Sequence, residues 1–219
     1  MPIHGVIFDF NGTLVNDTHL HNLAWREFFD RYKLPQPGER EIFLLHGKTN
    51  KDILSIIFHR EMQADEVVKY GFEKEEVYRE LFRKKQIQLM SGAIDLFNWL
   101  KNNKIPYTIA TASDKENVDF YFDYLNLSRF FNRSKVVLND GMIPGKPDPT
   151  LFNVAFEQLG LSPGEVLIFE DSFNGIVAAE NAKAGKIVIM DSHGEDYSRW
   201  NYDIITSFED FDKRILSKD

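Results

Sequence analysis

The chain has 219 residues, 43% hydrophobic and 14% aromatic, enough to bury one sizeable core with a smaller unit attached. Its 34 acidic residues outnumber 26 lysines and arginines, and the net charge of −8 argues against nonspecific binding to nucleic acid or an anionic membrane. The absence of cysteine excludes disulfides, thiolate catalysis and any cysteine-bound metal, which leaves oxygen and imidazole as ligands.

The N-terminal stretch "MPIHGVIFDF" lacks a basic region followed by a long apolar one, and no run approaches the roughly 18 apolar residues of a membrane span. These features predict a soluble, cytoplasmic chain with no membrane or nucleic-acid partner, read as a monomer. "GVIFDF" (5–10) is a short apolar strand that stops on polar residues: Asp9, Asn11, Gly12 and Thr13. Residues 16–90 offer helical stretches, "HLHNLAWREFFDRY", "NKDILSIIFHREM" and "EKEEVYRELFRKKQIQL", and no convincing strand. A helical insertion is predicted there, with hinges near 15–17 and 90–92. Its "ERE", "KEE" and "RKK" clusters read as solvent faces of helices.

Beyond residue 90, helical patterns over 92–103, 115–126, 149–160 and 173–185 alternate with strands "YTIATAS" (107–113), "KVVLND" (135–140), "VLIFEDS" (166–172) and "KIVIM" (186–190). Gly160 and Gly185 stand where helix C-cap glycines belong. Strands that are apolar throughout suit a sheet covered on both faces, and alternation with helices implies a parallel arrangement. The prediction is an α/β doubly wound core from 1–15 and 91–219, with an all-helical cap domain at 16–90 inserted after the first strand.

In such sheets ligands bind outside the carboxyl ends of the strands. Asp9, Thr111 and the Glu170–Asp171 pair then converge on one edge, joined by Lys146 from "IPGKPDP", whose prolines and glycine fix the loop. Carboxylates, a hydroxyl and a cation in one crevice suit phosphoryl transfer assisted by a magnesium ion. Singly, each has a plainer reading: a turn at Asp9–Asn11, a β-residue at 111, a surface charge at 146, helix capping at 170–172. A structural role explains their joint, ordered occurrence poorly.

"DFNGT", "ATAS", "GKPDP" and "FEDS" resemble, in order, the four motifs of haloacid-dehalogenase-superfamily phosphohydrolases, in the branch of β-phosphoglucomutase and sugar-phosphate phosphatases. The resemblance covers nearly the whole chain, and the helical insertion sits where that family carries a mobile cap. It implies that Asp9 is a nucleophile forming an aspartyl-phosphate, with Thr111 and Lys146 holding the transferring oxygens. It also implies Mg2+ on the Asp9 side chain, the backbone carbonyl of Asn11 and Asp171, with Glu170 assisting. The Thr13 region and the Ala112–Ser113 backbone complete the phosphate cradle.

Residue 11 departs from the pattern. The family's second aspartate is its general acid and base, a role typically worth about 10² to 10⁴ in rate, and Asn11 cannot exchange a proton in that way. A slowed natural enzyme, an engineered trap and a noncatalytic phosphometabolite binder all accommodate that change. On the cap side, His21 matches a histidine that positions substrate or catalytic groups and reads equally as a residue that packs or caps locally, while Trp25 on the same helical face reads as core. In "LLHGKTNKD" the mutases carry an arginine for a second phosphate where this chain has Asn50; Lys48 and Lys51 flank it, as candidate substitutes or as solvated surface charges. The leading expectation is a phosphatase acting on a small phosphorylated metabolite such as a sugar phosphate. A mutase is the nearest alternative, a binding protein the alternative of another class, and a receiver-like domain a distant one.

Overall fold

The protein is described by a computed structural model covering residues 2–216. Five strands, β1 (Gly5–Phe8), β2 (Tyr107–Ile109), β3 (Val166–Glu170), β4 (Lys186–Met190) and β5 (Asp203–Ile205), form one parallel sheet in the order β2-β1-β3-β4-β5. Phe8 lies level with Ile109 on one side and Phe169 on the other, so the residues that follow all three strands emerge side by side.

The unbroken apolar character of the strands has its cause in two-sided burial. Val6 and Phe8 face α5 (Ala93–Asn102) and α6 (Lys115–Tyr124), where Phe8 stacks on Phe169 with ring centroids 5.2 Å apart. Ile7, Ile168 and Ile187 face α7 (Thr150–Leu159) and α8 (Phe173–Asn181) on the opposite side. This is the doubly wound core that the alternation predicts.

Between β1 and α5 lie only helices among the longer elements: α1 (Thr18–Arg31), α2 (Glu39–Phe43), α3 (Asn50–Ile57) and α4 (Ala64–Lys84). They gather an apolar cluster of their own around Trp25, Phe28, Ile42, Leu45, Ile53, Leu54 and Met62. The two connecting segments pair with each other: Val15 bridges Leu89, and the Met90 amide donates to the Leu14 carbonyl at 2.8 Å.

Three local expectations are corrected. "KVVLND" forms no strand, making a single bridge between Val137 and Ala110 before Asn139 and Asp140 turn the chain by accepting from the amides of Gly141 and Met142. The α8 C-cap is Ala182, with Lys183 in the left-handed region at φ 63; Gly185 instead admits the Gly164 carbonyl, which a Cβ there would strike. β5 has no counterpart among the predicted strands. Among the described residues no helix is long and apolar enough to cross a membrane.

Candidate active site

The strand ends bring four ionisable groups together. The Asp9 amide extends β1 by donating to the Phe169 carbonyl at 3.0 Å, which fixes its side chain at the sheet edge. Lys146, 2% exposed, reaches in from its loop to donate to Asp9 Oδ1 at 2.5 Å and to Glu170. Asp9, Glu170 and Asp171 each place an oxygen within 4.8 Å of the others. Gly12 makes the approach of Asp171 possible: its φ of 78 suits glycine, and a Cβ there would overlap the Asp171 carboxylate.

Three buried carboxylates face one lysine. Burial raises the Asp9 carboxyl to about 7, against the pull of Lys146 and with Glu170 adding to the rise. Asp171 lies well above the usual carboxylate range, through burial first and then the charges of Glu170 and Asp9. An all-oxygen set short of positive charge fits a hard divalent cation. Stability of the metal-free protein should therefore depend on pH in a stated direction. A raised native carboxyl keeps a proton that the unfolded chain has lost, so its contribution is full below about pH 4 and disappears as pH rises through about 7. Urea unfolding in a chelator should show this loss, on the order of 1.4 kcal/mol per pH unit per group, and added magnesium should flatten it.

The carboxylates are not equivalent. Glu170 turns Oε2 onto the amides of Asp171 and Ser172, both at 2.8 Å, and gives Oε1 to Lys146, so it braces the loop from behind. Asp171 accepts from Thr13 Oγ1 at 3.3 Å and lies 3.8 Å from His193 Nε2, with its other face toward the cleft. Thr111 is buried, and its hydroxyl accepts from the Ser113 amide at 3.1 Å.

Asp9, Asn11, Thr111, Ala112, Ser113 and Asp171 line one wall of a cleft open to solvent. His21, Lys48 and Asn50 line the wall opposite, from the helical insertion. Of the residues singled out from sequence, Thr13, Lys146 and Glu170 stand behind this lining. Trp25 belongs to the insertion's apolar cluster, as read, and also lines the cleft.

Sequence reading missed a second set of buried groups. The "KEE" cluster is only in part a solvent face: Glu76 is exposed, but Lys74 is 2% and Glu75 4% exposed. They are held by partners invisible in a linear pattern. Lys74 Nζ donates to His21 Nδ1 at 2.7 Å and to Glu75 at 2.9 Å, and lies 5.0 Å from the Trp25 ring. Glu75 also accepts from Asn50 at 2.9 Å and from Asn117 of α6 at 2.7 Å, which ties the insertion to the core. Burial, with Lys74 next, lowers the His21 imidazole well below its ordinary range, so it is neutral and its Nδ1 accepts. Burial opposes ionisation of Glu75, but the Lys74 charge and the hydrogen bonds from Lys74 and Asn117 hold its carboxyl at about 2. The signal lay in helical spacing: Lys74, Tyr78 and Phe82 recur every four residues, and the last two read as core. Glu75→Ala should cost roughly 3–5 kcal/mol in urea unfolding, because it strands Lys74 as an unpaired buried charge.

The model of the haloacid dehalogenase-like hydrolase family matches residues 6–189. The chain belongs to that family. It superposes on a HAD hydrolase of family IA, variant 3, from Entamoeba histolytica with a TM-score of 0.86 and 35% identity, covering 97% of each chain. It is 25% identical over 189 residues to a phosphorylated carbohydrates phosphatase from Thermotoga maritima, 84% of each protein. A chloroplastic 5-amino-6-(5-phospho-D-ribitylamino)uracil phosphatase from Arabidopsis thaliana is 25% identical over 190 residues; these are 86% of this chain and half the length of that relative. This is the branch of haloacid dehalogenase-like hydrolases that holds phosphatases and β-phosphoglucomutase.

Proposed function

We propose that this chain is a magnesium-dependent phosphatase that moves the phosphoryl group of a small phosphorylated metabolite, a sugar phosphate in the first instance, onto Asp9 and then to water. The observation that carries this is the Asp9 carboxylate at the sheet edge, 2.5 Å from Lys146 and clustered with Asp171. Asp9 Oδ attacks phosphorus, an O–P bond forms as the bond to the substrate oxygen breaks, and water later cleaves the acyl-phosphate. Lys146 offsets the repulsion between the carboxylate and an anionic substrate. Asp9, Asp171 and the backbone carbonyl of Asn11 would hold Mg2+, with Glu170 behind them; when bound, the ion neutralises charge on the transferring oxygens.

The helical insertion acts as the cap domain, residues 16–90, over a core of 1–15 and 91–219. Lys48, half-buried on its cleft wall, makes no ion pair among the described residues and is placed to meet the substrate's far end. Asn50 supports hydrolysis over mutase chemistry, since its amide donates to the Glu75 carboxylate rather than offering a cation to a second phosphate. Asn11 has no proton to give the leaving oxygen, so turnover is slow.

The test is release of phosphate from p-nitrophenyl phosphate and a panel of sugar phosphates with magnesium, beside the Asp9→Asn variant. Release by the native chain and none by the variant is expected. Equal release by both, or none by the native chain across the panel, would overturn the assignment.

A further inference from the structure

Asp17 is a buried acid to which the proposed reaction gives no task. It is 0% exposed and does not line the cleft, yet its carboxylate accepts from the side chain of Asn11 at 2.7 Å, from the Gly12 amide at 2.9 Å and from Tyr78. His21 Nε2 stands 3.8 Å away. The phenol oxygens of Tyr78 and Tyr121 also lie 3.2 and 2.9 Å from Asn11 Nδ2. On the cleft side, Asn11 Oδ1 accepts from Ser113 Oγ at 2.7 Å.

These partners dictate what residue 11 can be. A carboxylate without a proton offers lone pairs only, so the group facing Asp17 must donate. The amide of Asn11 donates toward Asp17 and accepts toward Ser113. An unprotonated aspartate at 11 would set acceptor against acceptor at 2.7 Å from Asp17, which is itself fully buried. We propose that Asp17 is a positioning residue that selects and orients Asn11, the two forming one matched unit with the acid on the buried side and the amide on the cleft side. Asn11 is therefore the residue this site is built around. The reciprocal exchange Asn11→Asp with Asp17→Asn keeps the pairing with donor and acceptor reversed: the amide introduced at position 17 would donate to the carboxylate introduced at position 11 and accept from the Gly12 amide. It also moves the carboxylate to the cleft wall, where it can take a proton from water. That kinetic consequence rests on the proposed phosphatase reading; the pairing does not.

The experiment compares the native chain, both single variants and the double variant, by urea unfolding and by p-nitrophenyl phosphate turnover with magnesium. Asn11→Asp alone should raise the unfolding equilibrium constant roughly tenfold to a hundredfold, as an unsatisfied buried group does. The double variant should return to within about threefold of native, a coupling that independent sites would not show. Its kcat should exceed that of the native chain by about 10² or more, and should also exceed that of Asn11→Asp alone, whereas a merely structural role for Asp17 would leave those two variants with equal kcat. Additive losses in the double variant, its failure to fold, or Asn11→Asp as stable as native would each overturn the pairing. Restored stability without phosphate release from any of the four chains would support the pairing and sink the phosphatase reading.

Discussion

Lys146→Met is expected to cost roughly 3–5 kcal/mol of stability near about pH 9 and to abolish measurable turnover. Methionine matches the lysine stem, so packing beside Phe152, over whose ring the ammonium sits at 5.2 Å, is largely kept. The charge is what goes. Asp9 and Glu170 would then face each other in a buried site with no cation between them. The cost should be full near about pH 9 and shrink near about pH 5, where Asp9, raised to about 7 even with Lys146 beside it, carries a proton with or without the lysine and the repulsion ends. Urea unfolding of both chains at the two pH values, in a chelator, measures this. A loss independent of pH would mean that the lysine stem, and not its charge, matters.

Asp171→Asn should weaken magnesium binding by about a hundredfold or more, since even groups that only orient metal ligands are worth about 10- to 100-fold. Asp171 is the carboxylate of the pair at 170–171 that faces the cleft, whereas Glu170 is held by Lys146 and two amides. Thr13→Val, which removes the hydrogen bond to Asp171 Oδ1, should cost less, on the order of tenfold. Calorimetric titration with magnesium checks both. Equal affinities for Asp171→Asn and the native chain would displace the metal from this carboxylate.

The core and the strand-end wall of the cleft were legible because both follow local rules. Apolar strands covered on two faces announce a parallel sheet, and polar residues at the ends of such strands have one place to go, which put Asp9, Thr111 and Asp171 on one edge. Lys146 was readable from the rigid loop around it. What escaped was whatever depends on distant partners. Tyr78 and Tyr121 meet Asn11 across 67 and 110 residues, and no periodicity announces that Asp17, one residue before a helix, will be sealed beneath them. Lys74 and Glu75 look like surface charges because adjacent charged residues on a helix usually are; here His21, Asn50 and Asn117 offset their burial. β5 was missed because it is three residues long with two of them exposed, too short for a pattern.

The measurement that bears most directly on phosphoryl transfer is the mass of the peptide containing Asp9 after acid quenching of the native chain with magnesium and a substrate from the hydrolysis panel. With p-nitrophenyl phosphate, whose leaving group departs without a proton, the missing base at residue 11 makes hydrolysis of the acyl-phosphate the slow step, so a phosphoryl group should be found on Asp9 and absent from Asp9→Asn. Steady phosphate release with no phosphoryl group on Asp9 at any quench time would contradict the nucleophile assignment.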